Sequence, residues 1–496
     1  MSTKILFWFS GDLTPFCLAY YLQKKIDSDF FAIIDTYDKP KTFFKNQQLV
    51  NVNKSWFYHD YFQKMTKPDL LYLDNFEKKY NINLWELAIN ERIFYRFNEI
   101  YQFSHDEILS IIENECKLFE NILNEINPNF LIMSEPTLHQ HELLYKMCKK
   151  LGIKILLYNR PNISRCIISE IPRKLDNEID FDKLPASNRT FDELLLYRKS
   201  LNYFGSIKTF RHKFKSSNLE LFKSFVKFTF TENEHIKTHY THRGRTKIKV
   251  LKNEIEKKLK RKFRNNFINK NLENKINTKQ KFVYFPLAVD EERNLLISTP
   301  FYTNQIEIIR HIAKSLPPGF KLFVKENPAQ KIRYWRNISD YKEIMAIPNV
   351  SLIHPSFSAE KIYPYCSLVI TIGGSSGLEA AFYQKPSIVF ADLGYAVLPS
   401  VTKLNRIEDL PKLIRESLNK EVTSIYLDKY LTLLHDNSFD FNPLDLQNRY
   451  DEFFYFGGHY QSIDISEEKM KSFLNDNKEI LEKFANEYEK RITFFK

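Results

Sequence analysis

Cysteine, glycine and unbroken apolar sequence are all scarce in this chain of 496 residues. The five cysteines (Cys17, Cys116, Cys148, Cys166 and Cys366) are odd in number and scattered, with no CxxC or Cys/His spacing. That excludes a disulfide framework and a zinc-ligand cluster, and it predicts reduced, mostly buried thiols in a cytosolic protein. Eleven glycines leave little flexible low-complexity sequence. No stretch approaches 18 continuous apolar residues, and the run Ile5 to Phe9 is broken at once by Ser10-Gly11-Asp12. Neither a spanning helix nor a signal-peptide core is therefore expected. What is present is ample core material, 43% hydrophobic and 15% aromatic. The length suits two to four domains of roughly 100 to 200 residues each.

The formal charge of +12 is concentrated in one place. Between Arg243 and Lys270 lie twelve Lys and Arg against two acids, Glu254 and Glu256, so the rest of the chain is close to neutral. A nucleic-acid-binding protein spreads its basic footprint over a surface with aromatic or planar readers nearby. A single strip argues against nucleic acid as partner. Two readings of it stay open: a solvated interdomain helix, or a surface that lies against anionic membrane lipid.

Periodicity divides the chain into two α/β halves. Strand candidates at Lys4–Phe9, Phe30–Ile34, Phe130–Ser134 and Lys154–Tyr158 alternate with helical patterns, including Ile108–Ile126 and Glu142–Leu151 with Gly152 as its cap. A less regular, mainly helical region leads to the basic strip, where Ile248, Leu251, Ile255 and Leu259 recur at helical spacing. Alternation resumes with strand candidates at Phe282–Phe285, Lys321–Val324, Val350–Ile353, Ser367–Ile372 and Ser387–Phe390, and with helices at Ile306–Ser315 and Gly377–Tyr383. Beyond about Leu446 the pattern is helical to the end, notably over Glu467–Thr493. The expected organisation is an N-terminal Rossmann-like domain over 1–235, a basic helical linker over 236–280, a C-terminal Rossmann-like domain over 281–445 and a helical tail over 446–496.

Four stretches carry candidate chemistry. Leu368 to Ala380 runs from a buried strand through Gly373-Gly374-Ser375-Ser376-Gly377 into a helix holding Glu379. The glycines let backbone approach a phosphate, and the serines offer hydroxyl donors. It is neither a Walker loop nor a GxGxxG fingerprint, and Gly and Ser also serve as ordinary caps at such turns. Leu322 to Pro328 leaves Lys325, Glu326 and Asn327 at a strand's carboxyl end, where ligands of open α/β sheets bind; a charged solvent-facing terminus is the alternative. Asp290, Glu291 and Glu292 follow another strand, so that Asp290 or Glu291 is a candidate general base, or else part of a solvated loop. In the N-terminal half, Glu135, His139 and His141 lie where a strand gives way to a helix. His139 and His141 are two apart and fall on different helix faces, which argues against a shared metal; each is a candidate acid, base or phosphate contact, or a cap.

Phe285-Pro286-Leu287, Asp290-Glu291, Phe301 to Gln305, Ser315 to Gly319, Val324-Lys325-Glu326-Asn327-Pro328 and Gly374 to Ala380 with Lys385-Pro386 together resemble the capsule polysaccharide biosynthesis proteins, a family that includes Kdo transferases. The resemblance covers 281 to about 410 well, and the N-terminal half only through Glu135-Pro136 and Gly152-Ile153. It implies a GT-B architecture, two Rossmann-like domains facing a cleft, with a nucleotide sugar held mainly by the C-terminal domain and no metal or other cofactor required. It further implies that Ser375 and Ser376 hold the donor phosphate, with Lys325 close by and Glu291 near the sugar. The family usually reads Lys-Glu-His-Pro where this chain has Lys325-Glu326-Asn327-Pro328; Asn327 donates a hydrogen bond but carries no proton or charge. A different donor, slower turnover or lost catalysis are the consequences open at that position.

The resulting expectation is a cytoplasmic glycosyltransferase, peripheral on the inner face of the cell membrane. It would move a sugar from a nucleotide donor, CMP-linked among others, to a cell-surface polysaccharide or its glycolipid carrier. The candidate catalytic residues are Glu291, Asp290 and His139. The candidate binding residues are Lys325, Asn327, Gly374, Ser375, Ser376, Gly377, Glu379 and Glu135. A nucleotide-sugar 2-epimerase, a polyol-phosphate transferase and a non-catalytic nucleotide- or sugar-binding subunit are the alternatives.

Overall fold

Strand residues alternate between two apolar layers in both halves, and this is what builds the molecule. In β1 (Thr3–Ser10), Ile5, Phe7 and Phe9 enter one core while Leu6 and Trp8 enter another on the opposite face. In β7 (Phe282–Pro286), Val283 and Phe285 face one core and Phe282 and Tyr284 the other. A strand apolar on both faces belongs inside a parallel sheet covered by helices on both sides. The computed structural model describes residues 2–36, 38–62, 66–160, 165–176, 179–185, 188–200, 239–331, 335–455 and 465–495.

Two six-stranded sheets result. The first contains β1, β2 (Ser28–Asp35), β3 (Lys54–Phe57), β4 (Phe130–Ser134), β5 (Lys154–Asn159) and β6 (Ile167–Ser169), in the order β3-β2-β1-β4-β5-β6. Only β6 runs antiparallel among its described pairings. The second contains β7, β8 (Lys321–Lys325), β9 (Val350–Ile353), β10 (Leu368–Thr371), β11 (Ser387–Val389) and β12 (Val401–Lys403), in the order β12-β11-β10-β7-β8-β9, all parallel. Both orders are the doubly wound Rossmann pattern, in which the order reverses beside the first strand of each sheet, between β1 and β4 and between β7 and β10. Two such sheets joined through a helix make a GT-B-like architecture.

Helix boundaries follow local chemistry. Ser104 caps His105–Ile126 in a reciprocal box with Glu107, and Asn127 closes it in the left-handed region at φ 43°. Asn304 caps Gln305–Ser315. The basic strip is a single helix, Lys247–Asn271, capped by Thr246. The irregular region before it falls largely on residues 201–238, outside the described residues.

The end of the chain differs from expectation in two respects. Glu467–Thr493 is two helices, Glu467–Asp476 and Lys478–Phe495, because Asn477 turns back on the first and begins the second: its Nδ2 donates to the Phe473 carbonyl at 2.9 Å and its own carbonyl accepts from the Leu481 N–H. The tail is also built into the first domain. Leu446, Tyr450, Phe454, Phe473, Leu481 and Phe484 complete the core that holds Ile5, Phe7 and Phe16. The Tyr21 hydroxyl donates to the Leu474 carbonyl at 2.7 Å, and that of Tyr488 to Leu156 at 3.2 Å. The chain therefore leaves the first domain, builds the second, and returns to finish the first.

Candidate active site

The carboxyl ends of the two sheets meet at a seam, and arginines close it. Arg92 donates from Nε to the Glu291 carbonyl at 2.6 Å and from Nη1 to the Thr137 carbonyl at 2.8 Å. Arg293 reaches back to the Pro136 carbonyl at 2.6 Å. Arg173 binds Glu135 through two parallel hydrogen bonds of 2.8 and 2.6 Å and donates to Asn294 Oδ1 at 2.8 Å. Burial raises the cost of charge on Glu135, yet Arg173 and Arg293 outweigh it and hold the carboxyl below its ordinary range. The structure thus gives Glu135 a seam-closing role and occupies its carboxylate. Glu291 lies on the seam through its backbone. A small cavity opens here, lined by Glu91, Arg92, His139, Leu296 and Pro300 among others; neither Lys325 nor the 373–377 loop lines it.

At the switch point of the second sheet, the loop after β10 and the ends of β7 and β8 converge. Gly373 is required by packing: a Cβ there would sit 2.9 Å from the Asn294 carbonyl oxygen of the seam loop. At Gly377 a Cβ would meet the Tyr395 hydroxyl at 2.8 Å, and that hydroxyl donates to the Gly374 carbonyl. Ser375 Oγ donates to Glu379 Oε1 at 2.8 Å, while Glu379 Oε2 accepts from Tyr363 at 2.9 Å and pairs with Arg198 at 3.1 Å. The Ser376 side chain lies near the Tyr363 hydroxyl. Gly374, Ser375 and Ser376 remain partly exposed. The residues expected at a donor phosphate are therefore together, with Glu379 orienting Ser375.

Lys325 is the unusual member. It is 6% exposed at the end of β8, and among the described residues it has no carboxylate within salt-bridge distance; its Nζ reaches only the Glu326 carbonyl, at 3.4 Å. Burial pushes it down to about 8, against the pull of Glu326 and Glu379. His354, which was not singled out from the sequence, follows Ile353, the register partner of Lys325, and is lowered by burial and by the Lys325 charge. A buried cation without a counter-ion is costly. It is the arrangement expected of a side chain that awaits an anion.

Two candidate catalytic residues are corrected. Asp290 is bound by Arg336 and accepts from Gln305 Nε2 at 2.7 Å, and although burial opposes its charge, Arg336 holds it below the usual carboxylate range. Arg336 also pairs with Glu326 at 3.0 Å and donates to the Ala288 carbonyl at 2.6 Å, and Tyr341 donates to Glu326 at 2.8 Å. Asp290 and Glu326 are thus consumed in a buried network centred on Arg336, and a carboxylate so held is a poor base. His139 is clamped in the first domain, Nδ1 to Glu91 and Nε2 to Glu115, both at 2.8 Å, with Tyr58 donating to Glu115. Burial disfavours charge on His139, but Glu115 and Glu91 outweigh it and lift it to about 10. An imidazolium held charged at neutral pH with both nitrogens occupied is a structural cation and not a catalytic base. Asn327 spends its Oδ1 on the Ala329 N–H at 2.9 Å, shaping the turn after β8. Arg336, Arg198 and His354 were missed because a lone Arg or His carries no local signal; Asp290 lies 46 residues from Arg336, and Glu379 far from Arg198.

With this geometry in place, comparison with known proteins adds a family. Residues 205–438 match the family model described as capsule polysaccharide biosynthesis protein. Over that stretch, the sequence is similar to the capsule polysaccharide biosynthesis proteins. The matched stretch is just under half of the chain and contains the 373–377 loop, Lys325 and the basic helix. No curated protein sequence matches. Among solved structures, the KpsC beta Kdo 2,7 transferase of Thermosulfurimonas dismutans is 12% identical, with 71% of this chain and 87% of that one covered and a TM-score of 0.29. The UDP-GlcNAc 2-epimerase of Methanocaldococcus jannaschii, in complex with UDP-GlcNAc and UDP, is 12% identical over 88% and 99% of the two chains, with a TM-score of 0.25. Anabaena HepE, in complex with UDP and glucose, is 11% identical over 91% and 98%, with a TM-score of 0.28. Among the described residues no group of His, Cys, Asp or Glu is placed to hold a metal ion, and no helix is long and apolar enough to cross a membrane.

Proposed function

We propose that this chain is a glycosyltransferase that moves a sugar from a nucleotide-activated donor to a cell-surface or capsular polysaccharide, or to its glycolipid carrier, at the inner face of the cell membrane. The observation that carries the reading is the buried Lys325, which among the described residues has no carboxylate within salt-bridge distance, at the end of one neighbour of β7 while the Gly374-Ser375-Ser376 loop follows the other, at the crevice where α/β sheets take ligands. Lys325 supplies the charge for the donor phosphate, and the hydroxyls of Ser375 and Ser376 supply hydrogen bonds that strengthen as the leaving phosphate gains charge. Protein cations and hydroxyls serve the leaving group in this scheme, with no metal or other cofactor assigned a part. Of the three candidate catalytic residues, Glu291 is the one retained, as the group near the sugar; Asp290 and His139 act through the networks that hold them.

The family match supports transfer over the alternatives of the same fold, a nucleotide-sugar 2-epimerase or a polyol-phosphate transferase. The decisive experiment incubates the protein with radiolabelled CMP-, UDP- and GDP-sugars, with and without polysaccharide and glycolipid acceptors. Label carried into acceptor is the expected result. Interconversion of the free nucleotide sugar without acceptor would establish an epimerase, and nucleotide binding with no turnover would establish a binding subunit.

A further inference from the structure

The Lys247–Asn271 helix carries a second feature beside its charge. Ile248, Ile255, Leu259 and Phe263 are 79%, 61%, 55% and 67% exposed. At 3.6 residues per turn the four fall within roughly 80° of one another, so they form one apolar stripe. Lys258 and Lys262 flank it on one side and Lys249 and Lys260 on the other, where Glu256 also lies and pairs at 3.9 Å with Lys252 inside the stripe. Over the whole helix ten Lys and Arg face two acids. A helix that merely bridges two domains in water is polar all round and has no use for such a stripe. An apolar stripe bordered by cations is the pattern of a helix that lies in a lipid–water interface.

Both ends of the helix are fixed to the protein, and its middle faces outward. At the start, Arg243 pairs with Glu107 at 2.8 Å and Gly244 lies against the Tyr101 ring, both contacts to the first domain. Near the end, Arg264 donates to the Trp335 carbonyl at 2.6 Å, Trp335 Nε1 donates to Asn265, and Ile268 and Leu272 enter the core of the second domain. Anchored at either end, the helix leaves its apolar stripe exposed.

We propose that this helix seats the protein on an anionic bilayer by inserting Ile248, Ile255, Leu259 and Phe263 among the acyl chains while the flanking lysines bind lipid phosphates. Charge complementarity selects the occupant: a net charge of this sign on one helix favours anionic lipid over a neutral protein groove. The proposal extends the transferase reading to where the enzyme works. Its test reads lipid binding alone, so its failure leaves the proposal of sugar transfer standing.

The test is co-sedimentation of the full chain with vesicles of phosphatidylglycerol and phosphatidylethanolamine, against vesicles of phosphatidylcholine alone, at about 0.15 M and about 0.5 M salt. Wild type is expected to bind the anionic vesicles, more weakly but measurably at the higher salt. The variant Ile248→Gln/Ile255→Gln/Leu259→Gln/Phe263→Gln is expected to lose about 100-fold in partitioning with an unchanged melting temperature, because the four side chains are exposed. Phe263→Trp adds a direct reporter, whose emission is expected to shift to the blue on anionic vesicles and to be quenched by brominated acyl chains. Equal binding by wild type and the four-Gln variant would leave charge alone at work and overturn the insertion. A four-Gln variant that lost stability, or that dissolved a wild-type dimer, would assign the stripe to protein packing and overturn it equally.

Discussion

The two halves place charge at the carboxyl ends of their sheets in opposite ways. In the first, His139 sits between Glu91 and Glu115, and Asp35, whose charge burial opposes, is held well below the usual carboxylate range by its hydrogen bonds with His141 and His59, so buried charge finds its partners internally. In the second, Asp290 and Glu326 are neutralised by Arg336, but Lys325 is left without a carboxylate partner among the described residues. A domain that satisfies its own cations is built for stability at that point, whereas one that leaves a cation buried and open has kept a place for a ligand. Under the proposed function, the anionic donor belongs to the second half.

Removing the cation should therefore have opposite consequences in the two halves. His139→Ala leaves Glu91 and Glu115 buried without their partner and should cost about 3–5 kcal/mol in urea unfolding, the largest effect expected. The pH profile sharpens this. Glu115 and Glu91 raise His139 to about 10 against an unfolded value near 6.5. Its contribution is therefore fully present below about 6.5 and lost as pH rises towards about 10. Wild type should lose stability across that window, and His139→Gln should flatten the loss. Glu91 is held at about 2, where burial alone would raise it, so its contribution is lost only as pH falls from about 4.5 towards about 2.

Next in size, Gly373→Ala sets a Cβ against the Asn294 carbonyl and should cost about 1–3 kcal/mol while shifting the seam relative to the 373–377 loop. Thermal unfolding and nucleotide affinity should both fall. A variant of wild-type stability and affinity would separate the seam from the site. Smallest is Glu135→Gln, which weakens a partly exposed pair with Arg173 and should cost about 1 kcal/mol or less. Its effect should fade at high salt, unlike that of His139→Ala.

How much of this the sequence disclosed depends on the range of the signal. The long central strands were legible because both faces are apolar, as in β1, β4, β7 and β10, and the 373–377 loop was legible because its glycines and serines are contiguous. The edge strands β3, β6 and β12 were not, since polar Lys54 and Ser55 in β3, Ser169 in β6 and Thr402 with Lys403 in β12 leave at most two consecutive apolar residues in each. Asp290 read as a free acid because Arg336 is 46 residues away, and His139 as a free histidine because Glu91 and Glu115 are 48 and 24 residues away. Local pattern shows which groups reach the end of a strand. Whether they arrive paired is decided by tertiary packing, and that pairing separates a structural ion from a functional one. The return of the tail to the first core was hidden for the same reason: helical period shows that a face is buried, not against which sheet.

The most direct measurement is the melting temperature of wild type and Lys325→Met, each with and without CMP, UDP, GDP and CDP, since a ligand that binds only the folded state raises it. Burial disfavours the Lys325 charge and brings it to about 8. Replacing it with an apolar side chain of similar length should raise the ligand-free stability by about 1–3 kcal/mol at pH 7. The same change should weaken nucleotide binding about 10- to 100-fold. In wild type, the nucleotide-induced shift should shrink as pH rises through about 8 and the amine loses its proton. A Lys325→Met protein that is less stable than wild type and still responds fully to nucleotide would contradict the account.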